Sequence, residues 1–111
     1  MTNESDFRAS IKEFLELLSS KEQQLKYKAN VPIADVAAEL VCMWFDDMYH
    51  PDTDLFKRSF TPKEISQLST FNSVYDNLAN KLPDTLEGYH KSKEWAQIMK
   101  HAQQLHSAIQ W

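Results

Sequence analysis

This chain of 111 residues holds one glycine, Gly88, and one cysteine, Cys42. A single cysteine rules out an internal disulfide and also a Cys-based zinc framework, which takes several cysteines at fixed spacing. A single glycine excludes a P-loop and a dinucleotide-binding fingerprint, since both need several glycines to bring backbone close to phosphate. It also speaks against a strand-rich fold, whose tight turns draw on glycine at positive φ. No run approaches the roughly 20 consecutive apolar residues of a membrane-spanning helix. The best candidate, residues 36 to 45, is interrupted by Glu39. The opening MTNESDFRAS lacks the basic and then apolar segments of a signal peptide. A soluble, cytoplasmic protein with no membrane association is expected.

The residues present suit a globular domain, with 42% hydrophobic, 12% aromatic and 25% charged. The length fits one domain spanning 1–111 with a single core and no need of a staple. Pro32, Pro51, Pro62 and Pro83 all fall between periodic segments. The fold class expected is all-α, a compact single-domain bundle of four main helices plus a short helical turn.

The first helix is predicted from about Ser5 to about Lys28, with Phe7, Ile11, Phe14, Leu15, Leu18 and Leu25 on one face and Asn3 or Ser5 as N-cap. Its polar tail KEQQLKYK is expected to fray, and Lys12, Glu13 and Glu16 to form a solvated face. The second helix runs from Pro32 to His50, PIADVAAELVCMWFDDMYH, the most apolar stretch in the chain. At about 100° per residue, Ile33, Ala37, Leu40, Val41, Trp44 and Met48 share a broad face. Asp35, Glu39, Asp46 and His50 gather on the opposite side with Cys42 among them. Residues 51 to 60 read as a connector. Thr61, Pro62 and Glu64 spell a T-x-x-E capping box with proline at the first helical position, and Phe60 and Ile65 stand where a hydrophobic staple would join them. That third helix extends to Leu82. A short turn over 84–90 is broken by Gly88, and Ser92 caps the last helix.

No local catalytic signature surrounds His50, His90, His101 or His106. His106, beside the apolar stripe, is expected as a partly buried core histidine, and Cys42 as a small buried hydrophobe. Asp46, Asp47 and His50 form a D-D-x-x-H cluster, but a helical di-metal site needs Glu-x-x-His from each of two helices, and no second copy exists. The expectation is therefore no cofactor and no metal.

The charge layout carries more information. From Ala29 to Phe56 there is no Lys or Arg, while Asp35, Glu39, Asp46, Asp47, Asp52 and Asp54 supply six acids. The remainder holds 10 acids and 12 bases, so the overall −4 is an acidic block set in a slightly basic chain. Like charges crowded on one segment cost stability, and folding alone does not call for them. The block is either a solvated face or a steering and docking surface for a basic protein. Nucleic acid is a poor partner for a chain with pI about 5.5. Tyr49 borders the stripe and, with Phe45, Tyr27 and Trp111, is an aromatic anchor candidate that competes with core packing for the same rings.

With ELVCMWFDDMYHP at its centre and FTPKEISQLSTF after it, the small acidic helical chain resembles an immunity protein of bacterial contact-dependent growth inhibition. The resemblance covers roughly residues 30 to 110 and transfers no functional residue. It implies a cytoplasmic, non-enzymatic inhibitor of a cognate toxin domain, often a basic nuclease. Asp35, Glu39, Asp46, Asp47, Tyr49, Asp52 and Asp54 are then the partner-binding candidates. The alternatives are a small metal- or His-dependent enzyme around Asp46, Asp47 and His50, or a helical regulatory adaptor.

Overall fold

The computed structural model describes residues 3–31 and 35–111, and among them helices are the only regular secondary structure. The first helix, α1 (Glu4–Ser19), starts where the Asn3 side chain accepts a hydrogen bond from the Asp6 amide at 2.8 Å. It does not continue to Lys28. Ser20 turns to extended backbone (φ −129°, ψ 110°), and its hydroxyl accepts from the Gln23 amide at 3.1 Å to start α2 (Lys21–Asn30). Ser20 and Gln23 stand in the S-x-x-Q order of a capping box, a local stop-and-start signal that outweighs the continuing periodicity. The polar tail is helical through Asn30, so the expected fraying is absent.

Pro32 and Ile33, expected at the start of the second helix, lie outside the described residues. Asp35 caps α3 (Val36–Cys42). The chain then widens into a π-helical segment over Met43–Met48 that ends with the Tyr49 amide donating to the Trp44 carbonyl, five residues back, at 2.8 Å. An α-helix would place residues five apart about 140° from each other. In the wider turn the Tyr49 ring stacks on Trp44, with centroids 5.2 Å apart and planes at 14°.

The stretch read as a connector contains α4 (Asp54–Ser59), capped by Thr53. Six residues are too few to show helical periodicity, but the cap, Asp54 in the first turn and Lys57 and Arg58 in the last match the helix dipole. The capping box of α5 (Pro62–Ala79) is formed reciprocally, Glu64 N to Thr61 Oγ1 at 3.2 Å and Thr61 N to Glu64 Oε1 at 2.9 Å. This helix ends three residues before Leu82. Gly88 does not break α6 (Leu86–Lys91) but lies inside it. A Cβ there would sit 2.9 and 3.0 Å from the Pro83 ring and 3.1 Å from Thr85 Oγ1, so glycine serves a close approach. Ser92 caps α7 (Lys93–Ala108). The fold is therefore all-α, with seven helices and one π-helical segment among the described residues in place of four main helices and a turn.

The last helix, α7, packs against α1, α5 and α6, while α1 also meets α2 and α4 and α3 meets α6. Ile11, Leu15, Leu18, Leu40, Trp44, Phe56, Leu68, Tyr75, Trp95 and Ile98 are fully buried. Trp44 stacks between Phe14 and Tyr49, takes the edge of Phe71, and donates its indole N–H to Asn72 Oδ1 at 3.0 Å. Two tyrosines tie α5 and α6 to the backbone of α3, Tyr75 donating to the Leu40 carbonyl at 2.9 Å and Tyr89 to the Ala37 carbonyl at 2.8 Å. Burial pushes the Tyr75 phenol well up and the Tyr89 phenol up to about 12, so both remain donors.

Candidate functional site

The acidic stretch divides into two parts with different surroundings. At its start the carboxylates are tied to the protein's own structure. Asp35 Oδ1 accepts from the Ala38 amide at 3.2 Å as the N-cap of α3. Glu39 is half-buried and accepts from the Tyr27 hydroxyl at 3.1 Å, joining α3 to α2. Burial raises the Tyr27 pKa, and the neighbouring Glu39 carboxylate raises it further, so the phenol stays protonated.

The second part is solvated. Asp46 and Asp47 are exposed on the π-helical segment, and Asp52 and Asp54 are exposed on either side of Thr53. The Thr53 hydroxyl donates to the His50 carbonyl at 2.9 Å and caps α4, which fixes the path of the acidic turn. The described residues hold four ion pairs, and their acids are Glu4, Glu16, Glu64 and Glu87. None comes from the stretch between Asp35 and Asp54.

Of the stripe expected from α-helical spacing, Asp35, Cys42, Asp46 and His50 are exposed, and Glu39, partly covered from α2 by Tyr27, is the departure. Asp47 faces solvent as well. Cys42 is thus exposed and not the buried hydrophobe expected. His50 is exposed, with its Nε2 2.6 Å from the Asp46 carbonyl oxygen. Among the described residues no three His, Cys, Asp or Glu side chains converge as metal ligands.

Of the aromatic candidates, Tyr49 is half-buried, stacked on Trp44 and meeting Phe56 edge-on at 5.6 Å, so its ring is committed to the core margin. Phe45 packs on Tyr75, and Trp111 packs on Phe60 while donating to the His106 carbonyl at 2.9 Å. The apolar surface next to the acids is lined instead by Met43 and Met48. With Phe14 and Leu17 of α1 they form a shallow depression of about 230 Å³, also bordered by Ser10 and Glu13. Asp46 and Asp47 lie between those two methionines in sequence. Sequence reasoning put Met48 on the apolar face, and it does pack against the core, but the depression it lines with α1 depends on a contact between distant segments that local spacing does not show.

Two polar centres also escaped the sequence. Gln24 is fully buried, donating from Nε2 to the Leu17 and Leu18 carbonyls and accepting at Oε1 from Trp95 at 3.1 Å and from His90 at 2.7 Å. Because Oε1 can only accept, His90 carries its proton on Nε2. Burial lowers the His90 pKa and the nearby Lys21 charge lowers it further, so the ring is neutral at neutral pH. The second centre is Arg8, which grips both oxygens of Glu64 at 2.8 and 3.3 Å, donates to the Ser59 and Gln110 carbonyls at 2.8 Å, and lies over the Phe60 and Trp111 rings. Glu16, expected to be solvated, pairs with half-buried His106 at 3.0 Å.

No protein-family model matches the chain, and neither a curated protein nor a solved structure gives a significant match.

Proposed function

We propose that the protein is a non-enzymatic inhibitor that docks a basic protein domain on the surface carried by the π-helical segment and the turn after it, as an immunity protein docks its toxin. The observation that carries this reading is the set of exposed carboxylates, Asp46, Asp47, Asp52 and Asp54, without an ion-pair partner among the described residues. Folding gains nothing from crowding unanswered like charges on nine residues, and a cationic partner would gain both encounter rate and register from them. The Met43 and Met48 depression adds an adaptable apolar seat beside the charges, the combination of apolar centre and polar rim found at protein interfaces. Asp35 and Glu39 contribute to the field of this surface but are held by internal hydrogen bonds.

The partner proposed is a basic toxin domain, such as a nuclease whose own substrate is polyanionic. The test is growth rescue. Cells expressing the C-terminal domain of a large secreted protein encoded immediately upstream should survive when this protein is co-expressed. They should fail to survive with Asp46→Lys/Asp47→Lys. The purified pair should bind with an affinity that falls steeply with salt, and the double variant should bind about a hundredfold more weakly. A flat salt dependence, or an unchanged affinity in the variant, overturns the assignment of this surface.

A further inference from the structure

A second surface of opposite charge lies in an open cleft of about 410 Å³ between α2 and α6. Leu25 and Leu86 supply its apolar surface, and Lys21, Lys28, Lys91, His90 and the carboxylate of Glu87 stand around it. Leu25 is 48% exposed, the one large hydrophobic residue among those described that is so open. Lys91 has Glu87 as its partner at 3.2 Å, but Lys21 and Lys28 are exposed and take part in no ion pair among the described residues. His90 is held in place by its hydrogen bond to buried Gln24, so one wall of the cleft is rigidly mounted on the core.

We infer that this cleft binds a small organic anion, a carboxylate or phosphate carried on a compact apolar body, with the anionic group between Lys21 and Lys28 and the apolar part on Leu25 and Leu86. The volume falls in the range of small-ligand sites, roughly 300–1,000 Å³. An inorganic anion would leave Leu25 uncovered, and a neutral apolar molecule would leave the lysines unanswered. The aliphatic stems of Lys21 and Lys28 extend the apolar wall while their ammonium groups stay in water until an anion arrives. None of the lining residues belongs to the stretch from Asp35 to Asp54, although Lys28 also borders an adjoining depression with Asp35 and Asp84, and the exposed acids Asp46, Asp47, Asp52 and Asp54 of the proposed docking surface line neither.

Amide chemical-shift titration of the intact protein tests this, with phenyl phosphate and benzoate as organic anions, inorganic phosphate as the bare anion and phenol as the neutral control. The expected result is saturable shifts of the Leu25, Lys28 and His90 amides at millimolar phenyl phosphate or benzoate, weaker ones with inorganic phosphate and none with phenol. Lys21→Gln/Lys28→Gln should weaken phenyl phosphate about tenfold, as the loss of two exposed charge contacts implies. Leu25→Ser should remove the advantage of phenyl phosphate over inorganic phosphate, and the amide spectrum itself reports that each variant is folded. Equal shifts from inorganic and phenyl phosphate overturn the inference, as does a response that survives loss of both lysines. Shifts at the cleft and at Asp46 and Asp47 that depend on protein concentration alone also overturn it, because they identify the occupant as the acidic surface of a second copy.

Discussion

The Arg8 and Gln24 centres and the acidic turn from Asp46 to Asp54 treat polar groups in opposite ways. Around Arg8 both terminal nitrogens of the guanidinium find two acceptors each within the molecule, and the pair with Glu64 is largely shielded, at 23% and 13% side-chain exposure. Around Gln24 four hydrogen bonds converge on one buried amide. In the acidic turn the carboxylates are exposed and take part in no ion pair among the described residues. Polar groups that stabilise the fold are satisfied internally, because leaving one buried and unpaired costs more than a typical hydrogen bond contributes. Groups left outside such networks are available to something else. The difference separates residues whose loss should unfold the protein from residues whose loss should change only what it binds.

Gln24→Ala should give the largest effect. It leaves the Trp95 and His90 donors and the Leu17 and Leu18 carbonyls short of a partner at a fully buried site. We expect a loss of roughly 3–4 kcal/mol in urea unfolding. Next comes Arg8→Met, which strands Glu64 and unties α1 from the α5 cap and the C-terminal residues. It should cost roughly 3 kcal/mol, read from the same denaturation curves.

A pH profile sharpens the same contrast. The hydrogen bonds from Arg8 hold the Glu64 carboxyl below the usual carboxylate range, prevailing over the opposing effect of burial. A carboxyl whose folded pKa is lowered contributes stability above its unfolded pKa and loses it as pH falls through the folded value. Wild type should therefore lose stability below about pH 5, and Glu64→Gln should start less stable at neutral pH and decline less steeply. Smallest of all should be the effect of Asp46→Lys/Asp47→Lys on the fold. Helix content by circular dichroism should be unchanged and Tm should stay within about 3 °C of wild type. A large drop in Tm would erase the contrast, because it would show that these acids serve the fold.

How much was legible in the sequence follows from the range of each interaction. The Thr61–Glu64 box and the Ser92 cap span four residues, and both appear where their spelling puts them. The apolar period correctly placed Leu40, Trp44, Leu68, Trp95 and Ile98 in the core. The Ser20 break was written locally but hidden by a periodicity that runs on from α1 into α2. The burial of Gln24 was not legible, because it depends on Trp95 and His90, more than 60 residues away. The same holds for Arg8, whose partners lie 51 to 102 residues along the chain. For the candidate site, the acids and the absence of bases could be read directly. Which of them are solvated could not, because the partial burial of Glu39 depends on Tyr27 from another helix.

The widened turn over Met43–Met48 makes chain length part of the information in this region. A π-helical segment accommodates an extra residue within an otherwise α-helical path. Deleting one residue between Trp44 and Tyr49 would let the stretch close into a regular α-helix with Tyr49 four residues from Trp44 and still on its face, because five residues of the wide turn cover about the same rotation as four of an α-helix. The path into Thr53 and α4 would hold, and the change would be confined to the turn that carries Asp46 and Asp47. Insertion and deletion at this point, as much as substitution, would reshape the acidic surface while leaving the core contacts in place.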